Sequence, residues 1–267
     1  MNKLLFTATF LTVTCLSGTA LLGQSSDKSG SDKKASDTIF KPVSFESKDG
    51  LSISADLYKV HDATAPFIVL CHQAGWSRGE YREIAPKLNK LGFNCMAIDQ
   101  RSGKGVNDVD NETFQRASDA NKGVAYLDAE QDITAAIEWA KGNHAEGKLI
   151  LWGSSYSAAL SLKVAGDRAD KIDGVLAFAP GEYFSRFGKP DDYVTSSAKN
   201  IEDPSFITSA KKEKKNWIGI HEAIPGDKKV MFLPETEGNH GSRALWEKFE
   251  DHKDYWNAVE EFLGQFK

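Results

Sequence analysis

Apolar runs without polar alternation recur along the chain. They are Phe67 to Cys71, Asn94 to Ile98, Leu149 to Trp152, Val175 to Phe178, Phe206 to Thr208 and Val230 to Leu233. Such runs mark strands buried on both faces, as in parallel sheets. Before them, Pro42 to Ser47 and Leu51 to Val60 flank Lys48-Asp49-Gly50. Asp-Gly between two extended patterns signals a hairpin. The intervening segments change to helical spacing. Tyr81, Ile84, Ala85, Leu88 and Leu91 share a face closed by Gly92, and Pro86 moves the regular helix start to near Ala85. Ile133, Ala136, Ile137 and Ala140 share another, with Asp128 and Gln131 spaced as its capping box. Tyr156 to Val164 reads as a helix. So does Ser242 to Phe266, through Leu245, Trp246, Phe249, Tyr255, Val259 and Phe262. Strands alternating with helices imply parallel crossovers. The expected fold class is α/β, a three-layer α/β/α sandwich with a mostly parallel sheet and an N-terminal β-hairpin.

The N-terminus breaks this pattern. Met1-Asn2-Lys3 gives a short positive start, and Leu4 to Leu16 is mostly apolar or Thr. Gly18-Thr19-Ala20 then supplies the small residues that a signal peptidase reads. Residues 1–20 therefore read as a secretory signal, with an apolar run too short for an ordinary membrane span. Residues 21–38 are rich in Ser, Lys, Asp and Gly and read as a flexible linker. Residues 39–267 form the one expected domain, and its size suits a single α/β core. A secreted or periplasmic protein is expected, with no stable membrane span after signal cleavage. Cys15 raises a lipid anchor as the competing reading, but Thr12-Val13-Thr14 fits the pattern before a lipidated cysteine poorly. The formal net charge of −5 is mild, and no basic run interleaves with aromatic residues, so nucleic acid is not an expected partner. Cys71 and Cys95 sit in two apolar runs and read as buried thiols, although a pairing between them stays open. No Cys/His spacing suggests a metal site.

Two loop motifs carry the chemistry. Gly153-Ser154-Ser155-Tyr156-Ser157 follows an apolar strand directly and opens a helix. A nucleophile elbow needs that setting: a sharp turn with small flanking residues, and a serine standing at the positive end of a helix. Ser155 is the expected nucleophile. His240, in Glu237-Gly238-Asn239-His240-Gly241, lies between the last strand and the last helix. That loop opens at the carboxyl end of the sheet, where a base meets the serine. His61, His144 and His252 lie in polar stretches, and His221 lies in a helical one.

The chain resembles the α/β-hydrolase superfamily, and within it a single-domain, dienelactone-hydrolase-like branch with a serine nucleophile. The resemblance runs from about residue 40 to the end. It rests on His72-Gln73-Ala74-Gly75 after a central strand, Asp99-Gln100-Arg101-Ser102-Gly103 after the next, the serine turn, and Asn239-His240-Gly241. The superfamily places Gly where this chain has Ser157. Dienelactone hydrolase proper uses a cysteine nucleophile, so its lactone substrate does not transfer to Ser155.

The resemblance implies further roles. The acid of the triad follows the penultimate strand, which indicates Glu213, with Glu182 after the preceding strand as its competitor. Backbone amides of Ala74 and Tyr156 form the oxyanion hole, with Gln73 as the alternative donor to Ala74. His72 holds its loop, and Asp99 with Arg101 braces neighbouring loops as a buried ion pair. Trp76, Tyr156 and Tyr183 are the candidate aromatic walls of the acyl pocket. The implied activity is hydrolysis of a carboxylic ester or related acyl bond in a small molecule, through an acyl-serine intermediate and without cofactor or metal. A peptidase or thioester hydrolase on the same triad, and a non-catalytic binding protein that keeps the fold, remain open.

Overall fold

A computed structural model describes residues 39–267. The expected signal segment, the linker and Cys15 lie outside the described residues. In chain order the strands are β1 (Lys41–Glu46), β2 (Ser52–Tyr58), β3 (Phe67–Cys71), β4 (Asn94–Ile98), the short pair β5 (Gly105–Val106) and β6 (Val109–Asp110), β7 (Leu149–Ser154), β8 (Gly174–Phe178), β9 (Ser205–Thr208) and β10 (Lys229–Phe232). The helices are α1 (Ile84–Lys90), α2 (Glu112–Asp119), α3 (Glu130–Asn143), α4 (Tyr156–Asp167), α5 (Tyr193–Ala198), α6 (Ile218–Ala223) and α7 (His252–Leu263). Eight strands form one sheet in the order β1-β2-β4-β3-β7-β8-β9-β10. β1 and β2 pair antiparallel, and β2 runs antiparallel to β4. Every pairing from β4 across to β10 is parallel.

The unalternating runs are explained by two apolar cores, one on each face of the sheet. Val69, Leu151 and Ala177 point into a core shared with α3, α4 and α5, while Ile68, Leu70, Ile150, Trp152 and Leu176 point into one shared with α1 and α7. Successive side chains on a strand alternate between faces, so both sets must be apolar when both faces are covered. All residues of β3, β4, β7 and β8 are buried. Cys71 and Cys95 are buried free thiols. Among the described residues no helix is long and apolar enough to cross a membrane.

Three local expectations are corrected. Asp128 does not cap α3 together with Gln131. Its carboxylate accepts the backbone N–H of Ala125 at 2.8 Å and closes the single turn Tyr126–Ala129 before that helix. Ser242 to Phe266 is not one helix. It splits into a turn at Ser242–Leu245 and α7, because Trp246 is extended (φ −72°, ψ 138°) and its indole N–H donates to the Glu80 carbonyl at 2.9 Å. Asp99 and Arg101 do not pair with each other. Asp99 accepts from the Arg78 guanidinium, which also reaches Asp56 at 3.1 Å and Glu112 at 2.7 Å. Arg101 instead joins Asp132 and Asp49, each at 2.8 Å.

Arg101 is 1% exposed and Asp132 is fully buried. Burial pushes the Asp132 carboxyl up to about 6, against the pull of Arg101. Removing the guanidinium strands a buried carboxylate, so Arg101→Met is expected to cost about 3–5 kcal/mol. Urea denaturation measures this; a loss under about 1 kcal/mol contradicts a bracing role.

Candidate active site

The serine turn is shaped by two steric demands. Ser155 adopts φ 58°, ψ −121° between β7 and α4, a conformation that favours glycine and that a side chain holds only under external constraint. Its N–H donates to the Phe178 carbonyl at 2.7 Å and pins the turn to β8. Gly153 is required because a Cβ there would run into the Ser157 carbonyl and Ala158. Ser157 replaces the superfamily's glycine at no steric cost. Its hydroxyl is buried, donates to the His72 carbonyl at 2.6 Å and accepts from the Gln100 side chain.

Three side chains meet at the carboxyl end of the sheet. His240 Nε2 lies 2.8 Å from Ser155 Oγ, and His240 Nδ1 lies 2.6 Å from Glu213 Oε1. The histidine is delivered by the loop after β10, which turns at Gly238 and Gly241, both at φ 72°. Glu213 is delivered by the turn Lys211–Asn216 after β9. The Lys211 N–H donates to the Glu237 carbonyl at 2.9 Å and ties the acid loop to the histidine loop. The competitor Glu182 is committed elsewhere: it accepts the N–H groups of Val194 and Thr195 at 2.9 and 2.8 Å and the Thr195 hydroxyl at 2.8 Å, capping α5.

Next to the serine lie donors suited to an oxyanion. Tyr156 is the first residue of α4, so its N–H has no acceptor within the helix. On the facing loop the Gln73 N–H, the alternative donor to Ala74, is taken by the Glu80 carboxylate at 2.8 Å. His72 holds the loop from below. Its Nδ1 contacts the Gln73 carbonyl at 2.8 Å and its Nε2 accepts from the Gln100 N–H at 3.1 Å. Burial lowers this imidazole to about 4, so at neutral pH it is uncharged. Among the described residues no three His, Cys, Asp or Glu side chains cluster as metal ligands.

A cleft of about 320 Å³ opens over the serine, lined by Tyr126, Ser155, Tyr156, Tyr183, Arg186 and His240. Tyr156 and Tyr183 are where sequence reasoning put them. Trp76 is not: it stacks on Trp246, centroids 5.2 Å apart, and lines no part of this cleft. Tyr126 and Arg186 were not foreseen. Tyr126 precedes α3 and stacks on Tyr156 at 4.5 Å, and the Arg186 guanidinium sits 4.4 Å from the Tyr126 ring. Neither belongs to a recognisable motif, since each comes from a connection whose path only the fold defines. A larger groove of about 830 Å³ lies along α3 and the β1–β2 turn, remote from the serine. The buried carboxylate of Glu80 was also missed; it sits in a polar stretch that reads as a surface turn.

A family model described as serine aminopeptidase, S33, matches residues 62–189. No curated protein sequence matches the chain significantly. Among solved structures, an esterase of Pyrococcus furiosus superposes with a TM-score of 0.64 at 18% identity, covering 85% of this chain and 92% of that one. A dienelactone hydrolase of Anabaena variabilis gives 0.64 at 15% identity, covering 85% and 97%. A monoacylglycerol lipase of Paleococcus ferrophilus gives 0.56 at 16%, covering 85% and 99%. At these identities the likeness establishes a shared fold.

The two acids are separable by mutation. Glu213→Gln, which weakens support for the imidazolium and its tautomer, is expected to slow p-nitrophenyl acetate turnover about a thousandfold or more. Glu182→Gln is expected to stay within a few-fold of wild type while loosening α5. Steady-state kinetics on both variants tests this; the reverse ranking overturns Glu213.

Proposed function

We propose that this chain, a member of the α/β-hydrolase superfamily, is a serine hydrolase that cleaves small carboxylic esters through an acyl-serine intermediate. The observation that carries the reading is the continuous contact Ser155 Oγ, His240 Nε2, His240 Nδ1, Glu213 Oε1 at 2.8 and 2.6 Å. A serine hydroxyl becomes a useful nucleophile only when a base removes its proton as it attacks, and an acid behind the base fixes the tautomer. In the first half-reaction Ser155 Oγ bonds to the acyl carbon and its proton passes to His240 Nε2. The N–H groups of Ala74 and Tyr156 receive the developing oxyanion, an interaction worth several kcal/mol of barrier in such sites. Collapse breaks the ester C–O bond, and the alcohol leaves with the proton held by His240. Water then attacks the acyl-serine, His240 takes its proton, and the carboxylic acid leaves as Ser155 recovers its hydrogen.

The cleft supports short acyl groups, because about 320 Å³ lies at the small end of ligand pockets. The connection from β8 to β9, which supplies Tyr183 and Arg186, adds only α5 and a single turn as cover. Export through the leader of residues 1–20 belongs to the same reading. Thioesters and aminoacyl amides present the same acyl carbon. A panel of p-nitrophenyl esters, acyl thioesters and aminoacyl p-nitroanilides therefore ranks the bond types, with esters expected first.

Wild type is expected to react with a fluorophosphonate probe at Ser155, and Ser155→Ala to lose labelling and about 10⁴-fold or more of turnover. Peptide mapping of the labelled protein reads this. Absence of labelling in folded protein returns the chain to the binding-protein reading.

Arg186 also bears on the substrate, as the one side chain of fixed positive charge lining the cleft. It rests against Tyr126 and Phe187 at 4.4 and 4.7 Å, a cation poised for an acyl chain that ends in a carboxylate. Arg186→Ala is expected to lower kcat/KM about tenfold for the p-nitrophenyl hemiester of succinate, and less than about twofold for p-nitrophenyl acetate. Equal effects on both substrates remove Arg186 from acyl recognition.

A further inference from the structure

Beneath the catalytic triad lies a carboxylate that the mechanism above does not use. Glu80 comes from the single turn Arg78–Tyr81 and is fully buried. Its Oε2 accepts the Gln73 N–H at 2.8 Å, next to the Ala74 oxyanion donor. Its Oε1 accepts the Ser154 hydroxyl at 2.7 Å, next to the nucleophile. Ser154 Oγ in turn accepts the Ser242 N–H at 2.9 Å, two residues past His240. One carboxylate therefore touches the oxyanion loop and the serine turn directly, and the histidine loop through one hydroxyl. The three segments are crowded onto it: a Cβ on Gly241 would lie 2.5 Å from Ser154 Oγ and 2.7 Å from Gln73 Oε1.

Both contacts use the carboxylate as an acceptor: Gln73 N–H on Oε2 and Ser154 O–H on Oε1, while Ser154 Oγ accepts from Ser242 N–H. The ionised carboxylate accepts on both oxygens with its full charge. Protonation turns one oxygen into a donor and removes the charge from both bonds, and the buried, unpartnered Oε1 of Gln73 at the same junction offers a competing acceptor. We propose that Glu80 is a positioning residue of the active site, whose ionised carboxylate fixes the oxyanion loop and the histidine loop against the Ser155 turn. This rests on the serine-hydrolase reading.

The surrounding groups set where the change occurs. Burial pushes the Glu80 carboxyl up to about 7, opposed by its bonds from Ser154 and Gln73 and by the charges of His240 and Arg243 on the histidine side. Its sequence neighbour Tyr81 is held neutral by burial and donates to the Cys71 carbonyl at 2.7 Å. His72, on the oxyanion loop, is also neutral near pH 7. The brace is therefore lost as pH falls through about 7. The stability effect has the opposite sign. A carboxyl raised in the folded state binds its proton more tightly there than in the unfolded chain, so ionising Glu80 costs stability as pH rises from its ordinary range to about 7.

The test measures the rate constant for fluorophosphonate labelling of Ser155 between pH 5 and 8.5, alongside p-nitrophenyl acetate hydrolysis, for wild type, Glu80→Gln and Glu80→Asp. Wild type is expected to lose activity with two protonations as pH falls, so that the logarithmic slope rises above 1, the limit for a lone histidine base, around the Glu80 titration. Glu80→Gln is expected to be slower at pH 8 by about ten- to a hundredfold, the scale of a small misplacement of reacting groups, with KM little changed and a slope of 1. Its thermal midpoint is expected to gain on wild type from pH 5 to pH 8. Glu80→Asp, which keeps the charge, is expected to recover the second protonation. A Glu80→Gln variant with wild-type rate and slope overturns the role. So does a loss of rate that only follows the unfolded fraction. Both leave the serine-hydrolase reading standing, because wild type still labels. Wild type that does not label at Ser155 overturns that reading and this role with it.

Discussion

The site depends on one backbone constraint: a serine held at φ 58°, ψ −121° where β7 becomes α4. Outside glycine such a conformation costs of order 1–3 kcal/mol and persists only when the surroundings enforce it. Here the enforcement is visible. The Ser155 N–H is bound to β8, the Ser157 hydroxyl is bound to the His72 loop, and Gly153 lets the strand end pass under the first turn of α4. The same geometry lifts Ser155 Oγ towards His240 and leaves the Tyr156 N–H unpaired at the positive end of the helix. The candidate nucleophile and oxyanion donor thus follow from a single turn.

That turn needs rigid neighbours, and the chain supplies them with buried charge rather than with more apolar surface. Asp99 accepts the Arg78 and Glu112 N–H groups together with the Arg78 guanidinium, fastening the turn before α1 to the start of α2. Arg101 reaches Asp132 on α3, and Asp49 and Ser47 at the β1–β2 turn. Burying these groups is expensive, as the rise of Asp99 and Asp132 to about 6 shows. In return the networks are directional: an apolar contact tolerates sliding, whereas a guanidinium with several fixed acceptors does not. Loops at the carboxyl end of a sheet have no ladder hydrogen bonds to hold them, so such directional contacts take that part.

Much of the architecture was legible because parallel strands covered on both faces must be apolar at every position, a signal independent of tertiary detail. Ser155, Glu213 and His240 were legible for a related reason: each sits at a fixed offset from a strand end, and all strand ends of one sense open on the same side. What escaped the sequence was side-chain partnership across loops. Asp99 and Arg101 are two residues apart and opposite in charge, yet they face different elements, and each finds its partner more than 20 positions away. Trp76 carried the composition of a pocket wall but found a better surface in Trp246. The terminal helix was overextended because Trp246 and Phe249 fit its apolar period, while the Trp246 backbone is extended and its indole N–H donates to the Glu80 carbonyl. Periodicity reports which residues are buried, and it is silent on which hydrogen bonds interrupt the element.

The position of the acid shows how topology resolves a choice that spacing leaves open. Glu182 and Glu213 both follow strands that end on the active side, after β8 and β9 respectively. A carboxylate can orient the imidazole only if its own acceptor capacity is not already spent. Glu182 meets two backbone N–H groups and a hydroxyl at the start of α5, and so belongs to the short cover over the cleft. Glu213 keeps Oε1 for His240, and its Oε2 is buried without a partner. Under the proposed mechanism, the carboxylate's charge is then free to face the imidazole that becomes cationic. The two carboxylates are therefore told apart by what else each must satisfy: Glu182 is spent on the start of α5, whereas Glu213 is placed on a turn ahead of α6 that makes no such demand on it.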